Sequence, residues 1–183
     1  MMQSSDIYKI FPEINQIEDT DLRGKVCSIW LQVCNDGGWN SNNMNKCPIV
    51  LENKSCPGNN LEHIHDVAAL VLLNYDYMKK KYGDIIQVKR DHLLAAALLH
   101  DVGKYSEYTL TPDGPAYSPS GKHLRHPLKG AILAGVYGLP QEVIHAIATH
   151  SFEGDHAHAT AEYYFLRSSD KMAFESLNYQ HAH

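Results

Sequence analysis

No uninterrupted apolar run in the 183 residues approaches the ~18–20 needed to cross a bilayer, and the longest candidates are broken by His, Asp or Asn. Between Met1 and Lys9 no basic segment precedes an apolar stretch, so no secretory leader is expected and a cytoplasmic location is. Long basic runs are also missing. With 16 Lys and Arg against 21 Asp and Glu, the net charge is −5. The electrostatic footprint of a protein that grips long DNA or RNA is therefore absent. A small anionic substrate stays open, because a metal pocket makes its own local positive field. The four cysteines, Cys27, Cys34, Cys47 and Cys56, do not fall in the paired C-x₂₋₄-C spacing of a zinc site. Cys27 and Cys34 are seven residues apart, two turns on one helical face, and are expected to be buried thiols. Internal repeats, low-complexity blocks and strand-like alternation are lacking too.

What the chain does contain is helical periodicity and histidine. A hydrophobic share of 44% and a charged share of 20% suit one globular domain with a substantial core. Leu22, Val26, Ile29, Trp30 and Val33 recur at helical spacing, predicting a helix over Phe11 to Val33 that ends at Asn35-Asp36-Gly37-Gly38. Trp39 to Asn60 reads as a loop. Further helices are expected over Leu61 to Tyr82, Asp91 to Val102, Pro127 to Gly138, Pro140 to His150 and Thr160 to Leu177. In the second of these six, His63, Val67, Leu70, Val71, Tyr77 and Met78 share a face. Tyr105 to Arg125, rich in Pro and Gly, is expected to be a long loop of the kind that covers a site. The fold class is all-α: a single helical bundle over 58–183, with residues 1–57 a helix and connection packed on it.

Twelve histidines are present, and several fall where an imidazole without partners would be a poor core residue. His100-Asp101 closes the apolar run His92 to Leu99. The two side chains point about 100° apart on a helix, yet both can reach one ion lying over the helix end, and the carboxylate keeps a second oxygen for a neighbouring ion. His63 shares a face with Val67 and Leu70. His150 continues the stripe of Val143 and Ile147, Asp170 lies between Leu166 and Phe174, and His126 precedes a Pro-started helix. A lone inward His is usually a satisfied core residue, but six imidazole or carboxylate groups converging from five segments point to a metal site.

In this order, His63, His100-Asp101 and Asp170 resemble the H…HD…D pattern of the HD-domain superfamily of metal-dependent phosphohydrolases. His100-Asp101-Val102-Gly103-Lys104 is similar to its HD-[IV]-G-K form, and His126-Pro127 with His150 resembles the extra pair of dinuclear members. The resemblance covers about Leu61 to Phe174. It implies one metal held by His63, His100, Asp101 and Asp170, and a second by His126 and His150 with Asp101 bridging. Ligands of nitrogen and oxygen favour Fe, Mn, Co or Ni, two ions per chain. Such a pair would activate a water and polarise a phosphoryl oxygen, with Asp101 and Lys104 as catalytic residues. Lys104 and Arg125 would contact the phosphate of a small phosphorylated substrate, a nucleotide among the candidates. The plain alternatives are a lysine answering a helix dipole and a surface arginine.

Other residues carry weaker expectations. His65 is about 200° around the helix from His63, and His145 is off the face of His150. His123 could approach substrate from the long loop, and Glu153 could serve as an acid or a partner to a ligand. His156, His158, His181 and His183 are expected in solvent, and Trp30 and Trp39 in the packing. The same six ligands would also serve a mixed-valent di-iron oxygenase, or a non-catalytic module that binds metal or nucleotide. No neighbouring domain names a substrate, and nothing in the sequence fixes the oligomeric state.

Overall fold

The computed structural model describes residues 1–53 and 56–182. Residues 54 and 55 of the expected loop, and His183, lie outside the described residues. The bundle comprises α1 (Ser4–Ile10), α2 (Thr20–Gly37), α3 (Asn60–Tyr82), α4 (Arg90–Leu99), the one-turn α5 (Lys104–Glu107), α6 (His126–Val136), α7 (Gln141–Thr149) and α8 (Ala161–Ala182). One antiparallel ribbon joins α5 to α6: β1 (Tyr108–Thr111) and β2 (Gly114–Tyr117), with Tyr108 opposite Tyr117. The architecture is the all-α bundle expected. No described helix is long and apolar enough to cross a membrane.

Four expectations are corrected. The helix expected over Phe11 to Val33 is divided: α1 ends at Ile10, a 3₁₀ turn covers Pro12–Gln16, and α2 starts only at Thr20. Pro12 begins that turn at a position where its missing N–H costs nothing. Asp19 then caps α2, its carboxylate accepting from the backbone N–H groups of Asp21 and Leu22. The loop expected from Tyr105 to Arg125 contains α5 and the ribbon, so strand pairing is present after all. Four-residue strands are too short to show an alternation. Their turn is Pro112-Asp113-Gly114, with Gly114 at φ 114°. Finally, Tyr77 is exposed rather than on the inner face of α3. The helix expected to reach Val102 also ends early, at Leu99, and His100 to Gly103 form a turn.

α4 is the axis of the bundle. Leu93 through Leu99 are all buried, and the helix packs against α2, α3, α7 and α8. Its C-terminal carbonyls have no partners within the helix. Side chains supply them. The Trp30 indole N–H donates to Leu98 O at 3.1 Å, and His100 Nδ1 lies 2.7 Å from Ala97 O. Phe11 stacks on Trp30 at 4.3 Å, Tyr105 meets Trp30 edge-on at 5.2 Å, and Trp39 meets Tyr105 likewise and donates its N–H to Tyr105 O at 2.7 Å. The N-terminal segment thus builds an aromatic floor beneath the His100–Lys104 turn. Cys27, Cys34 and Cys47 are buried free thiols, as expected for the first two, and burial pushes the Cys34 thiol up to about 12.

Gly103 sets how closely α6 can approach this turn. A Cβ there would lie 2.2 Å from the backbone oxygen of His126 and 2.7 Å from its Cα. Both obstacles are main chain, so neither can rotate away. Gly103→Ala is expected to cost about 1–3 kcal/mol by forcing the two segments apart. Urea denaturation should register it as a lower midpoint with unchanged m.

Candidate metal centre

Helix ends deliver the ligand-type side chains. α4 and α7 each finish on a histidine, and in each the ring turns back on its own helix. His100 Nδ1 is 2.7 Å from Ala97 O and His150 Nδ1 is 2.7 Å from Ile147 O, both carbonyls three residues earlier. Each Nδ1–H satisfies an orphan carbonyl, so each ring turns its Nε2 to the middle of the bundle. α6 begins with His126, whose Nδ1 is 2.8 Å from Glu107 Oε2. That oxygen also accepts from the His126 backbone N–H at 2.8 Å, so Glu107 caps α6 with a negative charge while fixing the ring tautomer. His63, one turn into α3, completes four imidazoles around Asp101.

The distances are short. His63 Nε2 lies 3.3 Å from His100 Nε2, 3.0 Å from Asp170 Oδ1 and 3.8 Å from Asp101 Oδ2. His126 Nε2 and His150 Nε2 lie 3.3 and 3.6 Å from Asp101 Oδ1. Two groups therefore share Asp101: His63, His100 and Asp101 on one side, Asp101, His126 and His150 on the other. Within each group, the ligand atoms are all within 4.8 Å of one another. Asp101 Oδ1 is buried without a hydrogen bond, and Oδ2 has the Lys104 ammonium at 2.7 Å. A buried carboxylate facing imidazole lone pairs calls for a cation. The residues present fit a divalent metal.

Electrostatics favour that donor set at His100 and His126, whereas at His150 burial is outweighed by the hydrogen bond to Asp101 and the charge of Asp170, which raise the imidazole. Burial lowers the His100 imidazole to about 4 and drives His126 well below its ordinary value, which keeps both rings in the neutral form that ligates metal. For Asp101, burial alone would raise the carboxyl. The Lys104 ammonium, 2.7 Å from its Oδ2, outweighs that and lowers it, which keeps the group ionised.

All six residues expected as ligands are thus gathered in one place, and Lys104 and Arg125 line the same small cavity of about 160 Å³. The Arg125 guanidinium lies 4.1 Å from the centre of the Phe152 ring and pairs with Glu153 at 2.7 Å. Glu153 is thereby a partner to Arg125 rather than to a ligand. His65 points away, its Nδ1 2.9 Å from Glu13. His123 is exposed and does not line the cavity. Glu107 escaped sequence reasoning. It lies in the polar stretch Lys104-Tyr105-Ser106-Glu107, and the available signal was an acidic residue at a short helix directly after the His-Asp turn. Glu107→Gln should weaken metal binding about 10–100-fold, because a neutral amide orients and polarises His126 less well. Titration with Mn²⁺ measures it, and unchanged affinity would remove Glu107 from the site.

A family model described as the HD domain matches residues 60–177. Over 100 residues the chain is 32% identical to the dihydroneopterin 2′,3′-cyclic phosphate phosphodiesterase of Methanocaldococcus jannaschii. That alignment takes in 55% of this chain and 39% of the relative, so the chain spans well under two thirds of the relative's length. No solved structure matches.

Proposed function

The chain belongs to the HD-domain family, and on that premise we propose that it is a metal-dependent hydrolase of a small phosphate ester. One observation carries the reading. Imidazole Nε2 atoms, aimed inward by the Nδ1 hydrogen bonds of His100, His126 and His150, converge on one buried carboxylate, Asp101, which has one oxygen toward each histidine pair. This donor set has no thiolate, which favours Fe, Mn, Co or Ni. In the proposed assignment His63, His100, Asp101 and Asp170 hold one ion, and His126 and His150 hold a second, with Asp101 shared.

When bound, such ions lower the pKa of a water and polarise the phosphoryl oxygen. The protein's own groups do the rest. Lys104, three residues past Asp101, exchanges its carboxylate contact for a phosphoryl oxygen and so balances charge that grows in the transition state. Arg125, braced by Phe152 and Glu153, offers a planar guanidinium at the cavity wall for a second oxygen. The relative's name supports a mono- or diester of a small metabolite, and a cyclic phosphodiester fits that class. Residues 1–57 act as an extension that closes the core under the metal turn. Four unpaired thiols suit a reducing compartment such as the cytosol.

Metal content by mass spectrometry on anaerobically purified protein, paired with phosphate release from nucleotides, sugar phosphates and 2′,3′-cyclic phosphates in Mn²⁺, tests this directly. About two metals per chain with release supports the proposal. Failure to bind any divalent metal would overturn it.

A further inference from the structure

The cavity beside Asp101 has two cations in its lining, Lys104 and Arg125, and each is already paired, with Asp101 and Glu153 respectively. An exposed carboxylate, Glu52, lines the same cavity. It arrives from the connection between α2 and α3 and is held by the ribbon: the Tyr117 hydroxyl donates to Glu52 Oε1 at 2.5 Å. Tyr117 is itself braced, its ring 5.5 Å from that of its strand partner Tyr108, which is buried. Two separate segments are thus tied together over the cavity at a charged residue.

The charge balance has a chemical consequence. One phosphoryl group over the metals finds compensation in the ions and in Lys104. A second phosphoryl group would extend toward the mouth, where, among the described residues, Glu52 lines the cavity and its carboxylate repels the added charge. At roughly 160 Å³ the cavity is also below the ~300–1,000 Å³ of sites that enclose drug-sized ligands, so a second phosphoryl group reaches the mouth that Glu52 lines.

We infer that Glu52, positioned by Tyr117, is a specificity-determining residue that restricts the site to esters carrying a single phosphoryl group and rejects di- and triphosphates. This rests on the phosphoester reading above. Its chemistry is charge exclusion, by which a like charge at the entrance discriminates without touching the reacting atoms.

The test compares orthophosphate with pyrophosphate binding to the Mn²⁺-loaded protein by calorimetry, with free Mn²⁺ held constant by a metal buffer. Wild-type protein should bind pyrophosphate no more tightly than orthophosphate, despite its extra charge. Glu52→Gln keeps the size and the acceptor for Tyr117 but removes the charge. It should strengthen pyrophosphate binding about tenfold and leave orthophosphate and metal content within twofold. Tyr117→Phe keeps the charge but frees it, and should give a smaller gain in the same direction. If wild-type protein prefers pyrophosphate strongly, or if Glu52→Gln shifts both anions alike, the inference fails while the phosphoester reading stands. If neither anion binds the metal-loaded protein, the phosphoester reading falls and takes the inference with it.

Discussion

Asp101→Ala should abolish both metal binding and turnover, with activity falling on the order of 10³-fold or more. No other residue belongs to both histidine groups. Its Oδ1 faces His126 and His150, and its Oδ2 faces His63 and His100. Removing the carboxylate leaves Asp170, beside His63, as the one acidic group of the expected ligand set, and each divalent ion loses the shared anionic donor that offsets its dehydration. Lys104 also loses its partner, since its ammonium is 2.7 Å from Asp101 Oδ2 and almost wholly buried. The contrast with His150→Ala makes the prediction sharp. That variant should drop metal content toward one ion per chain and keep the first group intact. Metal analysis of both variants, with far-UV circular dichroism to verify folding, separates the outcomes. Full metal content and activity in Asp101→Ala would falsify the site assignment.

Trp30→Ala is expected to be the most damaging core substitution, at about 3–5 kcal/mol. The side chain is fully buried, stacks on Phe11, meets Tyr105 edge-on and donates its N–H to Leu98 O. Truncation empties the floor beneath the metal turn and leaves a buried helix-terminal carbonyl without a donor. Against a total stability of about 5–15 kcal/mol, such a loss is a large fraction. Chemical denaturation should show a much lower midpoint. Trp30→Phe, which keeps the ring and loses the N–H, should recover most of the difference. If Trp30→Ala shifts the midpoint no more than an exposed substitution such as Tyr164→Ala, the floor is not what supports the turn.

Much of this arrangement is written locally. Ligand-type residues on apolar stripes, His63 with Val67, His150 with Val143 and Ile147, are visible because helical periodicity reports which face is buried. His100-Asp101 stands out for the same reason, being two costly polar residues at the end of an apolar run. Other features obey no period. The division at Pro12 was hidden because the stripe of α2 seems to continue back to Phe11, although Asp19 carried the cap signal. The ribbon was hidden by its brevity. Glu107 and Glu52 lie in polar stretches that hold no information about what they face.

The sequence by itself determined the helical bundle and the inward faces that carry the ligand-type residues, because burial follows from spacing along a helix and spacing is local. Only the tertiary structure decided which of those residues meet, which ring nitrogen each histidine presents, and that Glu107 supports His126 while Glu52 stands at the cavity mouth. These depend on contacts between segments far apart in the chain. Gly103 lets α6 come within van der Waals reach of the turn after α4, and the Tyr117 hydroxyl ties the ribbon to the α2–α3 connection. Such approaches are set by the packing of whole elements, and no stretch of sequence contains both partners.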